Sequence, residues 1–271
     1  VKPLLPVMFL AVLLGTLGYL CAIFLTILAG YGLLQLFFEA GQPGTLFSAL
    51  GILAVLRGLF HYGEQYCNHF IAFKLLALIR HKVFAALRRL CPAKLEGKDK
   101  GNLISMITTD VELLEVFYAH TISPIAIAAV VSLIMTVFIG RFSPLAGILA
   151  LAAYVTVGAV IPLICGKRGG EKGLRFRNRF GDLNSFVLDS LRGLDETIQY
   201  RWGEQRRKAM ERRSEDLGRM QKELNDLETF QRSVTNLAIL GFSFGMLFLM
   251  VCLRRQGLAD GTGMVLAVVA M

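Results

Sequence analysis

The fold is decided by residues 3–38, which read PLLPVMFLAVLLGTLGYLCAIFLTILAGYGLLQLFF and contain no charged side chain. About 20 consecutive apolar residues are enough for a helix to cross the hydrocarbon core of a bilayer. Further charge-free runs occupy residues 116–140, 142–166 and 233–253, and residues 40–56 come close to forming another. The pattern predicts an all-α, polytopic membrane protein.

Composition and charge placement support this prediction. Hydrophobic residues make up 55% of the chain and charged residues 18%, with a mean hydropathy of +0.57, whereas a soluble domain carries about 25% charged residues. The net charge is +9, and eight of the Lys and Arg residues lie in 74–100 and sixteen in 167–232. The positive-inside rule places both basic blocks in the cytoplasm. The charge is therefore a topology signal with a role at anionic lipid headgroups, and nucleic acid is not an expected partner.

Six helices are predicted, and the two basic blocks extend them into the cytoplasm. The predicted helices cover about residues 4–38, 45–90, 110–140, 144–200, 213–253 and 263–271, the last being incomplete. Each basic block breaks near its middle, which predicts a helical hairpin with a short, polar, helix-prone stretch at its tip, at 102–109 and 203–212. The hairpins are either simply solvated or docking surfaces for another domain.

Both tips resemble the intracellular loops of ABC exporters. The resemblance rests on residues 90–115 (LCPAKLEGKDKGNLISMITTDVELLE), 189–199 (DSLRGLDETIQ) and 202–212 (WGEQRRKAMER). It implies a six-helix exporter half that works as a homodimer or heterodimer with domain-swapped fourth and fifth helices. It also implies that the tips are coupling helices against nucleotide-binding domains in cis and in trans. The coupling residues carried over are Asn102, Ser105, Met106, Asp110, Glu204, Arg207 and Lys208.

The chain contains no G-x-x-x-x-G-K-[ST] sequence, which is the loop that cradles nucleotide phosphates. No catalytic site is therefore predicted in it, and ATP with Mg²⁺ is expected to bind a nucleotide-binding domain of the full-length protein. The incomplete sixth helix suggests that this domain lies downstream. The five cysteines are scattered without a CxxC or CxxCH pair, so no metal site is predicted.

A narrower resemblance concerns residues 64–69 (EQYCNH), together with Arg80, 90–93, Gly101, 110–111, Tyr118 and 122–124. These residues are similar to the haem-binding half of the bacterial exporter of cysteine and glutathione that supports cytochrome bd assembly. The resemblance implies a place in the bacterial cytoplasmic membrane, small thiols as substrates, and His69 as an axial ligand of haem b. The family's arginine four residues before that histidine is Gln65 here. Without the resemblance, His69 is an interfacial histidine near the cytoplasmic end of the second helix.

Polar residues form a stripe along the second helix. Arg57, His61, Glu64 and Asn68 fall within about 60° of one another at the helical period. A charge that faces lipid costs at least about 2.5–3.5 kcal/mol at the bilayer centre, so the stripe is expected to face the central cavity or a partner chain. It is either a polar contact between helices or a solute-contacting surface in the translocation pathway.

Two functions of different classes follow. The first is the membrane subunit of an ATP-driven exporter of small thiols, with lipids, peptides or drugs as alternative substrates. The second is a non-transporting, haem-binding membrane sensor or assembly scaffold.

Overall fold

The computed structural model describes residues 4–37, 43–90 and 117–271, which form helices and turns and contain no strand. The helices are α1 (Leu5–Phe37), α2 (Pro43–Leu90), α3 (Ser123–Gly140), α4 (Pro144–Val155), α5 (Ile161–Arg192), α6 (Leu194–Gln199), α7 (Gly203–Arg255) and α8 (Gly261–Val269). A π-helical turn, Tyr118–Ile122, precedes α3, and a second one, Thr156–Val160, joins α4 to α5.

Four helices in the described ranges are long and apolar enough to cross a membrane, namely Leu5–Gln35, His120–Gly140, Pro144–Arg192 and Gly203–Arg255. The predicted all-α membrane fold is thereby confirmed. The helix Pro144–Arg192 contains 49 residues, which corresponds to roughly 70 Å at about 1.5 Å per residue. That length is more than twice the hydrocarbon thickness of about 30 Å.

The structure describes only the second of the two predicted coupling helices. Residues 203–212, predicted as a separate coupling helix, form the first turns of the continuous helix α7. The predicted first coupling helix, 102–109, lies outside the described residues, and so do Asn102, Ser105, Met106 and Asp110.

The chain divides into two compact units, one formed by residues 1–151 with 246–271 and the other by residues 152–245. In the first unit, α1 packs against α2, α3 and α8. Small residues such as Ala11, Ala72 and Ala267 are completely buried there. Small side chains let helix backbones approach closely, which is how membrane helices gain packing energy without a hydrophobic driving force between them.

The turn between α3 and α4 depends on a glycine, Gly147, that packs directly against the backbone of Gly140. A Cβ atom on Gly147 would lie 2.8 Å from the Cα atom of Gly140, a distance that real Cβ atoms do not reach. Pro144 stands at the first position of α4, where its missing N–H has no helical partner to lose. The two membrane helices are consequently joined by a tight and closely packed turn.

The second unit contains a hairpin in which α5 and the first part of α7 run antiparallel. Lys172 Nζ on α5 donates to Glu223 Oε2 on α7 at 2.8 Å. Closer to the tip, Arg206 Nη1 donates to Ser190 Oγ at 3.0 Å. The paired residues become closer in sequence toward the tip, as an antiparallel register requires.

Candidate functional site

The polar stripe of α2 is packed against α1 at Glu64. A Cβ atom on Gly15 of α1 would meet the side chain of Ile127 and would lie 3.0 Å from Cδ of Glu64. Gly18, three residues further along α1, faces the backbone of His61, whose N atom would be 3.6 Å from an added Cβ. The absence of a side chain at Gly15 leaves room for the Glu64 carboxyl group between the helices, and its absence at Gly18 lets the two backbones approach.

Glu64 is the buried acid of this site, with 4% of its surface exposed. His61 lies one turn before it, and His61 Nδ1 is 3.3 Å from Glu64 Oε2. The imidazole itself is largely exposed, with a side-chain exposure of 61%. A carboxylate in an apolar interior needs a hydrogen bond or a counter-charge, and His61 supplies the contact from the accessible side of α2.

Three buried polar atoms near this pair have no hydrogen-bond partner within the described ranges. They are Thr16 Oγ1 on α1, Asn68 Oδ1 on α2 and Ser123 Oγ on α3. Asn68 lies one turn after Glu64 on α2, and Ser123 lies one turn before Ile127 on α3. Because α2 and α3 run in opposite directions, Asn68 and Ser123 lie at the same level. An unpaired buried polar atom costs about 1–3 kcal/mol. The α1–α2–α3 contact is therefore a polar layer with unused hydrogen-bonding capacity.

The predicted stripe is divided between two environments. Glu64 and Asn68 are buried, whereas Arg57 and His61 are exposed. The same face of α2 is thus buried at the two later positions and exposed at the two earlier ones. The helical period places all four residues on one face, but it cannot tell where along that face the neighbouring helices end.

His69 lies away from the stripe, on an exposed part of α2. Its ring stacks on Phe73, with centroids 6.2 Å apart and an interplanar angle of 24°. Its other neighbour is His120 in the π-helical turn, at a centroid distance of 6.1 Å and an interplanar angle of 75°. Nothing in the sequence reveals that the π-helical turn brings His120 against His69.

The surroundings of His69 suit a planar apolar cofactor in part. Phe70 and Phe73 are 43% and 66% exposed, and Tyr66 is 64% exposed. These aromatic faces could cover a porphyrin, and an imidazole is a good axial ligand for haem iron. Arg57 is about 18 Å away along the helix, at about 1.5 Å per residue, which is too far for a propionate contact. Within α2, Lys74 is the nearer cation, five residues or about 7.5 Å along the helix from His69. Arg80, eleven residues away, is almost as distant as Arg57.

The described coupling residues sit in the first turns of α7 and form a local network of charges. Arg207 contacts Glu204 at 2.8 Å and Glu211 at 3.2 Å, and Lys208 lies 3.6 Å from Glu204. The hydrogen bond from Arg207 lowers the pKa of the Glu204 carboxyl group, and the charges of Arg207 and a hydrogen bond from Lys208 act in the same direction. All of these side chains are exposed, so the network forms a charged surface at the start of α7.

An apolar patch lies beside this network at the hairpin tip. Its exposed members are Leu191, Leu194, Ile198, Tyr200 and Trp202. Tyr200 and Trp202 pack ring to ring at 5.4 Å. Arg201 between them has a φ of 58°, in the left-handed region that glycine usually occupies. An exposed apolar patch rimmed by charges is typical of a protein interaction site, and we name it the tip patch.

The arms behind the tip patch are held together by an aromatic clamp. Arg206 and Arg213 of α7 both lie over the ring of Phe186 on α5, at 5.4 and 4.3 Å from its centroid. Cation–π contacts of this kind contribute about 0.5–1 kcal/mol each at exposed sites. Sequence reasoning missed Phe186, because a phenylalanine in a basic helix gives no signal of its own.

The chain belongs to the ABC transporter transmembrane region family, which it matches over residues 8–265. It is 43% identical over 250 residues to a probable ABC transporter ATP-binding/permease protein of Haemophilus influenzae, covering 92% of this chain and 45% of the relative. It is 32% identical over 136 residues to the glutathione/L-cysteine transport system ATP-binding/permease protein CydC of Escherichia coli, covering 45% of this chain and 24% of the relative.

The chain therefore spans less than half the length of either of these two relatives. The predicted membership of the ABC transporter membrane-domain family is confirmed by the family match. The predicted multi-pass location in a bacterial cytoplasmic membrane is confirmed by this match together with the four membrane-length helices and the bacterial relatives.

Proposed function

We propose that this chain is the membrane-spanning half of an ATP-driven exporter. The observation that carries the proposal is the tip patch, an exposed apolar surface with an ordered charge network at the end of a paired helical hairpin. Such a surface is suited to docking on a nucleotide-binding domain. ATP and Mg²⁺ would bind that domain of the full-length protein, consistent with the ATP-binding/permease names of the relatives.

The arms of the hairpin would transmit the motion of the nucleotide-binding domains. The Lys172–Glu223 ion pair, the Arg206–Ser190 hydrogen bond and the clamp on Phe186 link α5 to α7 at three levels. Because these contacts hold the two arms together, a displacement of the tip would move both arms together. This supports the role of Glu204, Arg207 and Lys208 as coupling residues. The corresponding residues of the first tip are Asn102, Ser105, Met106 and Asp110, for which the proposal rests on the resemblance alone.

The exposed half of the stripe would line the translocation pathway. Arg57 and His61 are accessible, and a guanidinium group binds carboxylates through paired hydrogen bonds. Small thiols such as cysteine and glutathione carry carboxylates, and the CydC relative is named as a glutathione/L-cysteine transporter. We therefore assign small thiols as the substrates, with Glu64 and Asn68 as the buried support of the exposed residues.

The exporter would work as a dimer, either with a second copy or with a homologous half. Many large apolar side chains of α5 and α7 are exposed in the single chain, for example Leu174, Phe180 and Phe230. These residues lie on membrane-length helices and on their extensions, where a partner chain would cover them.

The test is transport by the full-length protein with its partner in inverted membrane vesicles. We expect ATP-dependent uptake of radiolabelled cysteine or glutathione, and no uptake with ADP. The Arg57→Gln variant should raise the KM for the thiol while leaving basal ATP hydrolysis unchanged. ATP-dependent uptake of lipid, peptide or drug without thiol uptake would overturn the substrate assignment, and no ATP-dependent uptake of any solute would overturn the exporter.

The exposed imidazole of His69, stacked on Phe73, favours haem binding as a second function, either within the exporter or in a non-transporting sensor or scaffold. Haem b, when bound, would supply iron-centred redox and ligand chemistry. His69 would ligate the iron and the neighbouring aromatic side chains would cover the macrocycle. The test is the Soret band after addition of haemin to the full-length protein with its partner. A native Soret band identical to that of His69→Ala would exclude His69 as the ligand.

A further inference from the structure

We propose that His69 and His120 form a two-imidazole binding site for a divalent transition-metal ion such as Zn²⁺, Co²⁺ or Ni²⁺. The proposal shares His69 with the haem hypothesis but requires no haem and does not depend on transport. It concerns two of the four histidines of the chain, which the fold brings together from α2 and from the π-helical turn before α3.

The spacing of the rings is the first argument. Their centroids are 6.1 Å apart and their planes meet at 75°. Zinc binds imidazole nitrogen at about 2.0–2.1 Å, so two imidazoles on one ion have centroids roughly 5–6 Å apart. The observed separation is close to that range, and a small rotation of either exposed side chain would direct both rings at a common ion.

Accessibility is the second argument. His69 and His120 are both exposed in the single chain, so the rest of this chain leaves both rings accessible to an ion. Phe73 stacks on the ring of His69 and limits its freedom. A restricted imidazole loses less conformational freedom when it binds an ion.

The local backbone is the third argument. His120 is the central residue of the π-helical turn Tyr118–Ile122. The π-helical turns found within α-helices are rare and are frequently located at functional sites. A π-turn shifts the direction of the side chains that it carries, and here it coincides with the contact between His120 and His69.

The closeness of the two segments separates this site from a haem sandwich. Cα atoms of α2 and of the π-helical turn approach to within 8 Å of one another. Two axial histidines on a haem keep their backbones apart by two side chains and the iron between them. After a small rotation of the rings a bare ion can lie between the two imidazoles, whereas segments this close leave little room for a porphyrin between them.

The experiment is metal titration of the full-length protein with its partner, purified haem-free and without a polyhistidine tag. Co²⁺ binding is followed by visible absorption and Zn²⁺ binding by competition with a chromophoric chelator. We expect one saturable site per chain, with affinity lowered at least about tenfold in His69→Ala and in His120→Ala. His120→Cys should retain binding, because a thiolate is also a zinc ligand. His81→Ala, which removes another exposed histidine of α2, should titrate like the native protein.

Two outcomes would overturn the proposal: no saturable site in the native protein, or equal titrations for the native protein and His120→Ala. Modification of the native protein with diethylpyrocarbonate provides a test that needs no variant. Zn²⁺ should protect His69 and His120 together, as read by mass spectrometry, and unprotected rings would contradict the site. The same variants test the haem hypothesis separately from the metal site. His120→Ala should lose metal binding and keep the Soret band, whereas His69→Ala should lose both.

Discussion

Asn68 shows how a single buried residue can report on the state of the whole site. Its Oδ1 atom has no hydrogen-bond partner among the described residues, and only 5% of its surface is exposed. Leucine has nearly the same shape and no polar atom. Because an unpaired buried acceptor costs about 1–3 kcal/mol, we expect Asn68→Leu to raise the Tm of the full-length protein in detergent.

Asn68→Ala is the matched control for this substitution. It removes the same polar atom but leaves a cavity, and cavities in well-packed regions are destabilising, so its Tm should fall. A lower Tm for Asn68→Leu as well would mean that Oδ1 has a partner in the assembled transporter, such as a bound solute or a residue of the second half.

The lowered pKa of Glu204 makes the stability of the hairpin tip depend on pH. Its pKa is lowered below the ordinary value of 4.5 mainly by the hydrogen bond from Arg207. A carboxyl group with a lowered pKa in the folded state stabilises the fold above its unfolded pKa, and this stabilisation is lost as the pH falls through the lowered value. We expect the first turns of α7 to become less protected against amide exchange as the pH drops below about 4.5.

Amide exchange in Glu204→Gln provides the comparison for this effect. That variant cannot change charge, so once exchange is corrected for its intrinsic pH dependence, the first turns of α7 should show a smaller loss of protection. An identical acid response in the two proteins would show that the Arg207 contact does not support the tip.

At the scale of the element, α7 joins the tip and a membrane span in a single helix. Gly203–Arg255 is continuous, and proline in a helix interior costs about 3 kcal/mol or more. Lys208→Pro should therefore break the start of α7 next to the tip patch. In the full-length transporter, we expect ATP hydrolysis to continue while transport is lost, measured as the ratio of substrate moved to ATP consumed.

Lys208→Ala tests the charge of this residue without breaking the helix. It removes the contact with Glu204 and should reduce the ratio only slightly, because exposed ion pairs contribute little. Unchanged coupling in Lys208→Pro would contradict the proposed role of the tip.

The hairpin also shows what the sequence could and could not predict about an element. The lengths of the arms follow from the basic, proline-poor stretch 167–232, and the predicted tip at 203–212 follows from its midpoint. The continuity of α7 through residue 212 was not visible, because those polar residues are equally compatible with a short separate helix. The clamp of Arg206 and Arg213 on Phe186 depends on the register of the two arms, which periodicity does not determine.

At the scale of the whole molecule, the charge distribution predicts the orientation of the chain in the membrane. Both basic blocks are expected in the cytoplasm, and the turn between α7 and α8 is expected outside. On a cysteine-free background, Arg207→Cys should react with a membrane-impermeant maleimide only in inverted vesicles. Leu258→Cys, in the α7–α8 turn where Leu258 is 67% exposed, should react only in intact cells.

Reaction of both positions from the same side of the membrane would rule out a single crossing between them. Reaction of each from the side opposite to that expected would invert the orientation of the entire domain.

The fold class was predictable from the sequence, because uncharged runs of membrane length leave few alternatives to helices. The site was predictable only in part. The helical period showed which face of α2 carries the polar residues, but it did not show which of them other helices bury. Gly15 on α1 lies against both Glu64 of α2 and Ile127 of α3, and such contacts between distant segments leave no trace in a single sequence. The contact between His69 and His120 was missed for the same reason.

The π-helical turn Thr156–Val160 has a mechanical consequence for the long helix that contains it. A π-turn closes a wider ring and leaves the regular hydrogen-bond ladder interrupted at one place. Gly158 lies within this turn, and a Cβ atom there would meet no neighbouring atom within 4 Å. A long helix that contains one π-turn bends at that turn and stays stiff elsewhere. A load applied to the end of this helix would therefore be converted into a local change of angle near residue 158.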